Sequence, residues 1–456
     1  MAKSESKVVQ RNKRSRTPPQ TISPWPRTLI MCSVALAVVA ALALLWLPAR
    51  VNDGYSISTV ERKRYDGTLN YRQIAEMRQP LMLTETIVDR WPARKQFTTK
   101  FLANKIRHVK AHIQEDARSF ITFHDNKPLE DYVPEQWENF NLKVNTTIPT
   151  VLQWGEEGTD PSKGPFLYYT QDMATMRQFP NVIGYIQPVQ DLFLSDKNVQ
   201  VNLWVGREGI VTHAHYDCTY NFFFQLQGRK RFTLYPPSDH LYLYPCLHPH
   251  YGHSQVDILN PDNKKFPLFK SARPVVAEVR PGDMLVVPPF WFHHVETLEE
   301  SVSVNVWSDA PEYDLINQVY SLPIPFEDSW STEEKVVATK IYISMILSHF
   351  EIQYIEFLQH LLEQRYEILI RDERLRFNSS VSDQVVHTCT SDQKWNQHHT
   401  VYEPFLREGV DATVLLLQKI SMRSILKVCI GNFIEHLIHR VLSLDNIFSF
   451  LKHCSV

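Results

Sequence analysis

The chain is poor in cysteine and carries no large excess of charge of either sign. Six cysteines occur in 456 residues, and no two of them have Cys-x-x-Cys spacing. This excludes a disulfide scaffold and argues against a structural zinc module. The 48 basic residues nearly balance the 50 acidic ones, so no overall basic field indicates nucleic-acid binding. With 43% apolar residues and no internal repeat, the chain can form a substantial folded core.

The near-neutral total hides a basic N-terminal segment. Residues 1–27 carry seven basic side chains and one acidic side chain, a net charge of +6, which leaves −8 for the rest of the chain. The run from Leu29 to Leu47 follows without a single charge. As a helix it would span about 28 Å, close to the thickness of the hydrocarbon core of a bilayer. We interpret it as an uncleaved signal anchor, in preference to a buried core helix or a cleaved signal peptide.

This interpretation predicts a single-pass type II membrane protein. By the positive-inside rule, residues 1–27 form a cytoplasmic tail, and residues 28–47 cross the membrane. The body of the chain then lies in the lumen of the endoplasmic reticulum or Golgi, or outside the cell. Residues 48–79 are polar and predict a stem that leads away from the bilayer.

Hydrophobic patterning divides the body into a β-rich domain, residues 80–310, and a helical region, residues 311–456. Within the β-rich domain, apolar residues recur at every second position in short runs that are separated by Gly and Pro turns. This pattern indicates an antiparallel sandwich or barrel. These runs include Val199, Val201, Leu203 and Val205, and Val302, Val304 and Val306. After Pro311 the apolar period becomes helical. The resulting apolar stripes predict core packing or a homodimer surface.

The candidate metal ligands lie in two separate segments. His215 and Asp217 stand two residues apart in a strand-like segment, so both side chains can project from one face toward one cation. One imidazole and one carboxylate are two thirds of a facial triad, the ligand set that suits ferrous iron. A third candidate follows in PGDMLVVPPFWFHHV, residues 281–295, where either His293 or His294 can contribute. Such a site requires a closed barrel that brings distant strands together.

The two segments resemble the JmjC family of iron(II)- and 2-oxoglutarate-dependent oxygenases, in particular the small hydroxylase branch that includes the asparaginyl hydroxylase of the hypoxia response. The resemblance extends from about Pro80 to Trp307, and SQVDILNPD at residues 254–262 adds to it. It implies a mostly β core, the double-stranded β-helix or cupin jelly roll, with flanking helices. Together with the patterning, the expected fold has this core, an all-helical C-terminal region and one N-terminal transmembrane helix.

Carried over residue by residue, the resemblance implies a complete active site. It implies His215, Asp217 and His293, rather than His294, as ligands of Fe(2+). It also implies a 2-oxoglutarate pocket, in which Lys230 pairs with the distal carboxylate. The other members of this pocket are the hydroxyl groups of Thr212 and Tyr168 and the amides of Asn221 and Asn305. The physical argument agrees, since a buried dianion needs a cationic partner.

The resemblance implies an oxygenase that uses O2 and releases succinate and CO2. Hydroxylation of a side chain in a protein or peptide substrate is the expected reaction, and demethylation is less favoured because no zinc-finger reader accompanies the domain. The alternative is a catalytically inactive cupin-fold scaffold whose helical region binds partners, against which the intact triad and Lys230 argue. His248, His250 and His253 could form a second metal site, although the intervening Pro and Gly favour a polar loop.

Overall fold

The structure, a computed structural model, describes residues 58–114, 143–153, 165–195, 198–371, 380–390 and 395–455. Within these ranges no helix combines the length and the apolar composition needed to cross a bilayer. The expected cytoplasmic tail, the segment from Leu29 to Leu47 and residues 48–57 of the expected stem lie outside the described residues. The rest of the expected stem, residues 58–79, is part of the folded domain, where Tyr71, Ile74 and Ala75 are buried in the core.

Fourteen strands in the described ranges form two sheets. A five-stranded sheet has the order β1-β11-β10-β13-β8, and a nine-stranded sheet has the order β2-β3-β12-β9-β14-β7-β6-β4-β5. In chain order the strands are β1 Ser58–Thr59, β2 Arg62–Arg64, β3 Leu81–Thr84, β4 Val109–Gln114, β5 Lys143–Thr146, β6 Phe166–Asp172, β7 Gln200–Gly206, β8 Val211–His215, β9 Thr219–Gln227, β10 Lys230–Tyr235, β11 Val275–Val279, β12 Met284–Val287, β13 Phe292–Thr297 and β14 Ser301–Asp309. The expected mostly β core with cupin-like topology is therefore present.

The nine-stranded sheet has one apolar face and one polar face. Val302, Val304 and Val306 of β14 pair with Val205, Leu203 and Val201 of β7, and all six side chains are buried in one cluster. The alternate positions of the same two strands, Asn202 and Trp204 with Asn305 and Trp307, line a cavity instead. Because side chains alternate along a strand, burying one set orients the other set into the cavity. The predicted period-two pattern is confirmed.

Twelve α-helices accompany the sheets in the described part of the chain. They are α1 Tyr71–Glu76, α2 Ala93–Gln96, α3 Thr99–Lys105, α4 Ile148–Val151, α5 Pro311–Ser321, α6 Thr332–His349, α7 Tyr354–Arg365, α8 Glu367–Arg371, α9 Ser380–Thr390, α10 Trp395–Leu417, α11 Arg423–Leu442 and α12 Ile447–His453. The eight that follow β14 confirm the predicted helical C-terminal region.

The helical region packs directly against the β core. One apolar cluster contains Tyr216, Phe290 and Phe292 from the core together with side chains of α6, α7 and α11. Inside the helical region, the buried Arg365 forms an ion pair with Glu435, and Tyr366 Oη donates a hydrogen bond of 2.7 Å to the same carboxylate. A disulfide joins Cys389 of α9 to Cys454 after α12. The helical region and the β core therefore share one hydrophobic core.

Candidate active site

Paired strands bring two of the candidate ligands face to face. His215 is the last residue of β8, and His293 lies in β13 directly opposite it in the ladder. Asp217 stands just beyond the end of β8, in the connection to β9, rather than within a strand as its spacing indicated. The ligand atoms of the three side chains nevertheless lie within 4.8 Å of one another. The structure thus brings together the three residues that the sequence analysis singled out.

A bulge in this pair of strands adds Thr212 to the same surface. His293 pairs with His215, whereas Val295 pairs with Thr212, so β8 contains one residue more than β13 over this interval. On a regular strand, residues three apart face opposite sides. The extra residue shifts the alternation, and both Thr212 and His215 line the cavity.

Backbone carbonyls orient the two imidazoles. His215 Nδ1 lies 2.7 Å from the carbonyl oxygen of His213, and His293 Nδ1 lies 3.0 Å from that of Trp291. Because a carbonyl oxygen only accepts, each Nδ1 carries the proton, and the lone pair resides on Nε2. Burial, with a further contribution from His215, lowers the pKa of His293 to about 4. His293 is therefore neutral at pH 7, which is the state that binds a metal ion.

His294 occupies a different environment from His293. Its ring is buried, and its centroid lies 6.4 Å from that of His213. Burial and the nearby His213 lower its pKa to about 3. His294 belongs neither to the group of convergent ligand atoms nor to the cavity lining. The structure therefore groups His293, and not His294, with His215 and Asp217.

The carboxylate of Asp217 provides a test of whether the three side chains fit a metal ion. Its Oδ2 atom is buried and has no hydrogen-bond partner, and it lies 3.6 Å from Nε2 of His293. A buried carboxylate oxygen without a donor is unfavourable, and a divalent cation bound by the trio would compensate for it. Two neutral imidazole nitrogens and one carboxylate oxygen are the donor set that suits iron(II). The residues present fit that ion.

The trio opens into a cavity of about 470 Å³ between the two sheets. All eight candidate site residues line it: Tyr168, Thr212, His215, Asp217, Asn221, Lys230, His293 and Asn305. Its other lining residues include His112, Lys143, Asp172, Asn202, Trp204, Phe223, His253 and Trp307. The residues that the spacing and the family resemblance indicated therefore share one cavity.

Lys230 supplies a buried cation to this cavity. Its side chain is buried, and Nζ donates a hydrogen bond of 2.7 Å to Tyr168 Oη. In the part of the chain that the structure describes, no nearby charge contributes to the pKa of that amine. Burial lowers the pKa of Lys230 to about 7, because the charged amine is poorly solvated. Such an amine favours an anionic ligand, whose charge would restore its protonated state.

The neighbouring arginines lie outside the cavity. Arg229 forms ion pairs with Glu278 and Glu299, and Arg231 pairs with Glu296. Along β10, therefore, Lys230 faces the cavity, and its two arginine neighbours face the exterior, as strand alternation requires.

Two asparagine amides are held in a fixed orientation by an indole. Trp204 Nε1 donates a hydrogen bond of 2.8 Å to Asn305 Oδ1, and Asn305 Nδ2 donates one of 3.1 Å to Asn221 Oδ1. The ring of Trp204 also stacks on Tyr168 at 5.3 Å. Sequence analysis missed Trp204, although its alternation with Leu203 and Val205 would have identified it.

The three histidines of HPHYGH take separate positions. His253 lines the cavity, and its ring stacks on that of His215 at 5.5 Å. His248 Nε2 instead lies 3.1 Å from Nδ1 of His439 in α11. In the described residues these histidines form no group of three convergent ligands, so the alternative of a second metal site gains no support.

Two facing sheets that enclose three convergent candidate metal ligands are typical of the cupin fold. A family model described as a cupin-like domain matches residues 68–313. This match covers more than half of the chain, and the chain therefore belongs to the cupin-like domain family.

Several characterised proteins share this domain. Human HSPB1-associated protein 1 is 30% identical over 257 residues, which cover 52% of this chain and 49% of that protein. JmjC domain-containing protein D of Dictyostelium discoideum is 40% identical over 111 residues, covering 24% of this chain and 25% of its own. Lysine-specific demethylase 8 of Xenopus tropicalis is 26% identical over 236 residues, which cover 50% of this chain and 48% of that protein. The chain thus spans about half the length, or less, of these relatives.

The two adjacent histidines are expected to differ sharply in their effect on metal binding. His293→Ala removes a ligand, so the affinity for iron(II) or cobalt(II) should fall at least about 100-fold, since even outer-shell changes cost 10- to 100-fold. His294→Ala opens a buried space but removes no ligand, and it should change the affinity by less than about threefold. Titration of the apoprotein with cobalt(II) measures both values. Equal losses in the two variants would contradict the assignment.

Proposed function

We propose that the protein is an iron(II)- and 2-oxoglutarate-dependent oxygenase that hydroxylates a side chain of a protein substrate. Members of the cupin and JmjC family typically are oxygenases of this kind. One observation carries the proposal for this chain: the trio His215, Asp217 and His293 and the buried amine of Lys230 line the same cavity. A metal site and a separate cationic site in one cavity match a ligand that chelates at one end and carries a carboxylate at the other.

Each residue of the cavity has a distinct role in this proposal. His215, Asp217 and His293 would hold iron(II) by three positions on one side and leave the remaining positions to other ligands. Lys230 would pair with the distal carboxylate of 2-oxoglutarate. The hydroxyl groups of Tyr168 and Thr212 line the same cavity and would donate to that carboxylate. Asn221 and Asn305 would orient the cosubstrate through the amide network fixed by Trp204.

When bound, the metal and cosubstrate supply the activation of O2, with oxygen transferred to a C–H bond and release of succinate and CO2. The chain itself contributes placement. The paired strands hold two imidazoles at a fixed separation, and their backbone carbonyls keep the coordinating nitrogens unprotonated. The apolar walls formed by Phe223, Phe232 and Val295 limit the access of water.

Turnover of 2-oxoglutarate by the purified protein tests the reaction class. We expect iron-dependent formation of succinate in the presence of O2, and an added oxygen on a secreted or lumenal protein when proteomes with and without the enzyme are compared. Release of formaldehyde with loss of a methyl group would indicate demethylation, the activity in the name of the frog relative. Absence of both iron binding and turnover would indicate a non-catalytic scaffold.

We further propose that the catalytic domain resides in the secretory pathway behind a signal anchor. The basic residues 1–27 and the uncharged run that follows support this topology. The Cys389–Cys454 disulfide also supports it, because such bonds persist in oxidising compartments. Protection of the folded domain from protease in sealed microsomes is the expected result.

Self-association through the helical region forms the last part of the proposal. Val401, Phe405 and Leu415 of α10 are more than half exposed and lie within one face of the helix. Light scattering should detect a homodimer, and Phe405→Glu should convert it to a monomer.

A further inference from the structure

Tyr216 connects the candidate ligands to the rest of the protein. It stands between His215 and Asp217 in the chain and is buried. Its ring packs against Phe290 at 5.6 Å and Phe292 at 5.0 Å, in the segment that leads into His293. Any displacement of Tyr216 would therefore be transmitted to all three ligands.

A side chain of the C-terminal helical region contacts this tyrosine. Asn432 of α11 donates a hydrogen bond of 3.1 Å from Nδ2 to Tyr216 Oη, and both side chains are buried. The two residues are 216 positions apart. The contact therefore depends on the docking of α11 against the β core.

The helix that carries Asn432 is itself firmly held. Glu435, one turn further along α11, forms the buried ion pair with Arg365 at the end of α7. The carbonyl oxygen of Arg365 accepts a hydrogen bond of 2.9 Å from Gln255, which belongs to the β domain. Removing one partner of such a buried network is unfavourable, so α11 provides a fixed reference for the position of Tyr216.

We propose that Asn432 is a positioning residue of the metal centre: through its hydrogen bond to Tyr216, the helical region holds His215 and Asp217 in the arrangement that binds iron. This inference rests on the proposed function. Loss of the bond from either side removes the contact that fixes the Tyr216 ring relative to α11, and the ring then shifts. The ligand-bearing segment then shifts with it.

The experiment measures cobalt(II) affinity and the visible absorption spectrum of the cobalt form of the full chain. Asn432→Ala should weaken binding about tenfold, the lower end of the range for outer-shell changes, and should alter the spectrum. Tyr216→Phe should have a similar effect, and the double variant should lose no more than either single variant, because both remove the same bond. The altered spectrum of a variant that remains folded is the result that a general loss of stability would not produce.

Asn446→Ala is the matched control. Asn446 is also a buried asparagine of the helical region, where it bonds to Ser382 and to the carbonyl oxygen of Leu442. Its loss should lower the melting temperature without changing cobalt affinity or the spectrum. If Asn432→Ala fails to fold, Asn432→Leu combined with Tyr216→Phe restores an apolar contact. The cobalt(II) affinity and spectrum of this variant are then compared with those of the wild type.

The outcomes separate this inference from the proposed function. Wild-type affinity and spectrum in a folded Asn432→Ala protein would overturn the positioning role while leaving the metal centre in place. Additive losses in the double variant would also overturn it. A wild-type chain that binds neither cobalt(II) nor iron(II) would overturn both proposals.

Discussion

Asp217→Ala is expected to abolish iron-dependent turnover of 2-oxoglutarate. Asp217 provides the anionic member of the trio, and its replacement leaves two neutral imidazoles. Because outer-shell changes already cost 10- to 100-fold in metal affinity, removal of this ligand should cost more than about 100-fold. Metal titration and succinate formation measure the loss.

The stability of this variant should distinguish a missing ligand from a damaged fold. Without metal, the wild-type chain buries a carboxylate oxygen that lacks a partner. Asp217→Ala removes that unfavourable group, so its melting temperature without metal should equal or exceed that of the wild type. Added metal should raise the wild-type value only, since binding to the folded state is what stabilises it. A melting temperature well below wild type without metal would contradict this account.

A matched pair of substitutions tests whether metal binding depends on where a carboxylate lies in the cavity. Asp172 also contributes a carboxylate to the cavity lining but lies outside the trio. Its Oδ1 accepts a hydrogen bond from the backbone of Ala174, which an asparagine side chain can preserve. Asp172→Asn should therefore retain metal binding, whereas Asp217→Asn should lose most of it.

Local patterning is sufficient to predict which face of a strand a side chain occupies. The alternation of Val304, Asn305 and Val306 indicated that the amide faces away from the valines, and Asn305 lines the cavity as expected. The same logic holds for Lys230, which is buried between two partly exposed arginines. These predictions succeed because the side-chain period of a strand is a local property of the backbone.

The remaining features depend on pairing between distant segments. The bulge that places Thr212 beside His215 is a property of how β8 meets β13, and neither strand alone encodes it. The choice between His293 and His294 follows from the same register, because a shift by one residue would exchange them. The resemblance to the JmjC family favoured His293 before that register was known.

The helices α2 and α3 show a different limit of prediction from sequence. The apolar residues Phe97, Phe101, Leu102 and Ile106 predict a single helix. The structure instead has α2 and α3 with a break at Phe97 and Thr98. Thr98 accepts a hydrogen bond from the backbone of Phe101 and starts the second helix. An apolar period does not reveal such a break, since the two helices continue the same buried stripe.

Lys230→Met is expected to weaken 2-oxoglutarate binding about 100-fold while stabilising the protein without ligand. Loss of a buried charge pair costs about 3 kcal/mol of binding free energy, which corresponds to about a 100-fold loss of affinity. In the absence of the anion, the buried amine contacts the phenol of Tyr168 and the ring of Phe223, so methionine should raise the melting temperature. Lys143→Met is the control, because Lys143 lines the cavity but is exposed, and its loss should change affinity by less than about threefold.

The pH dependence of cosubstrate affinity should show that the protonated amine of Lys230 binds the 2-oxoglutarate carboxylate. Its pKa is lowered from 10.5 to about 7 by burial. The protonated amine binds the carboxylate, so affinity should be nearly constant below pH 7 and about tenfold lower at pH 8 than at pH 6. Binding above pH 7 should therefore take up a proton, which calorimetry in buffers of different ionisation enthalpy detects. Lys143→Met should keep this pH dependence, and Lys230→Met should lose it. A wild-type affinity that does not fall above pH 7 would contradict the role given to the buried amine.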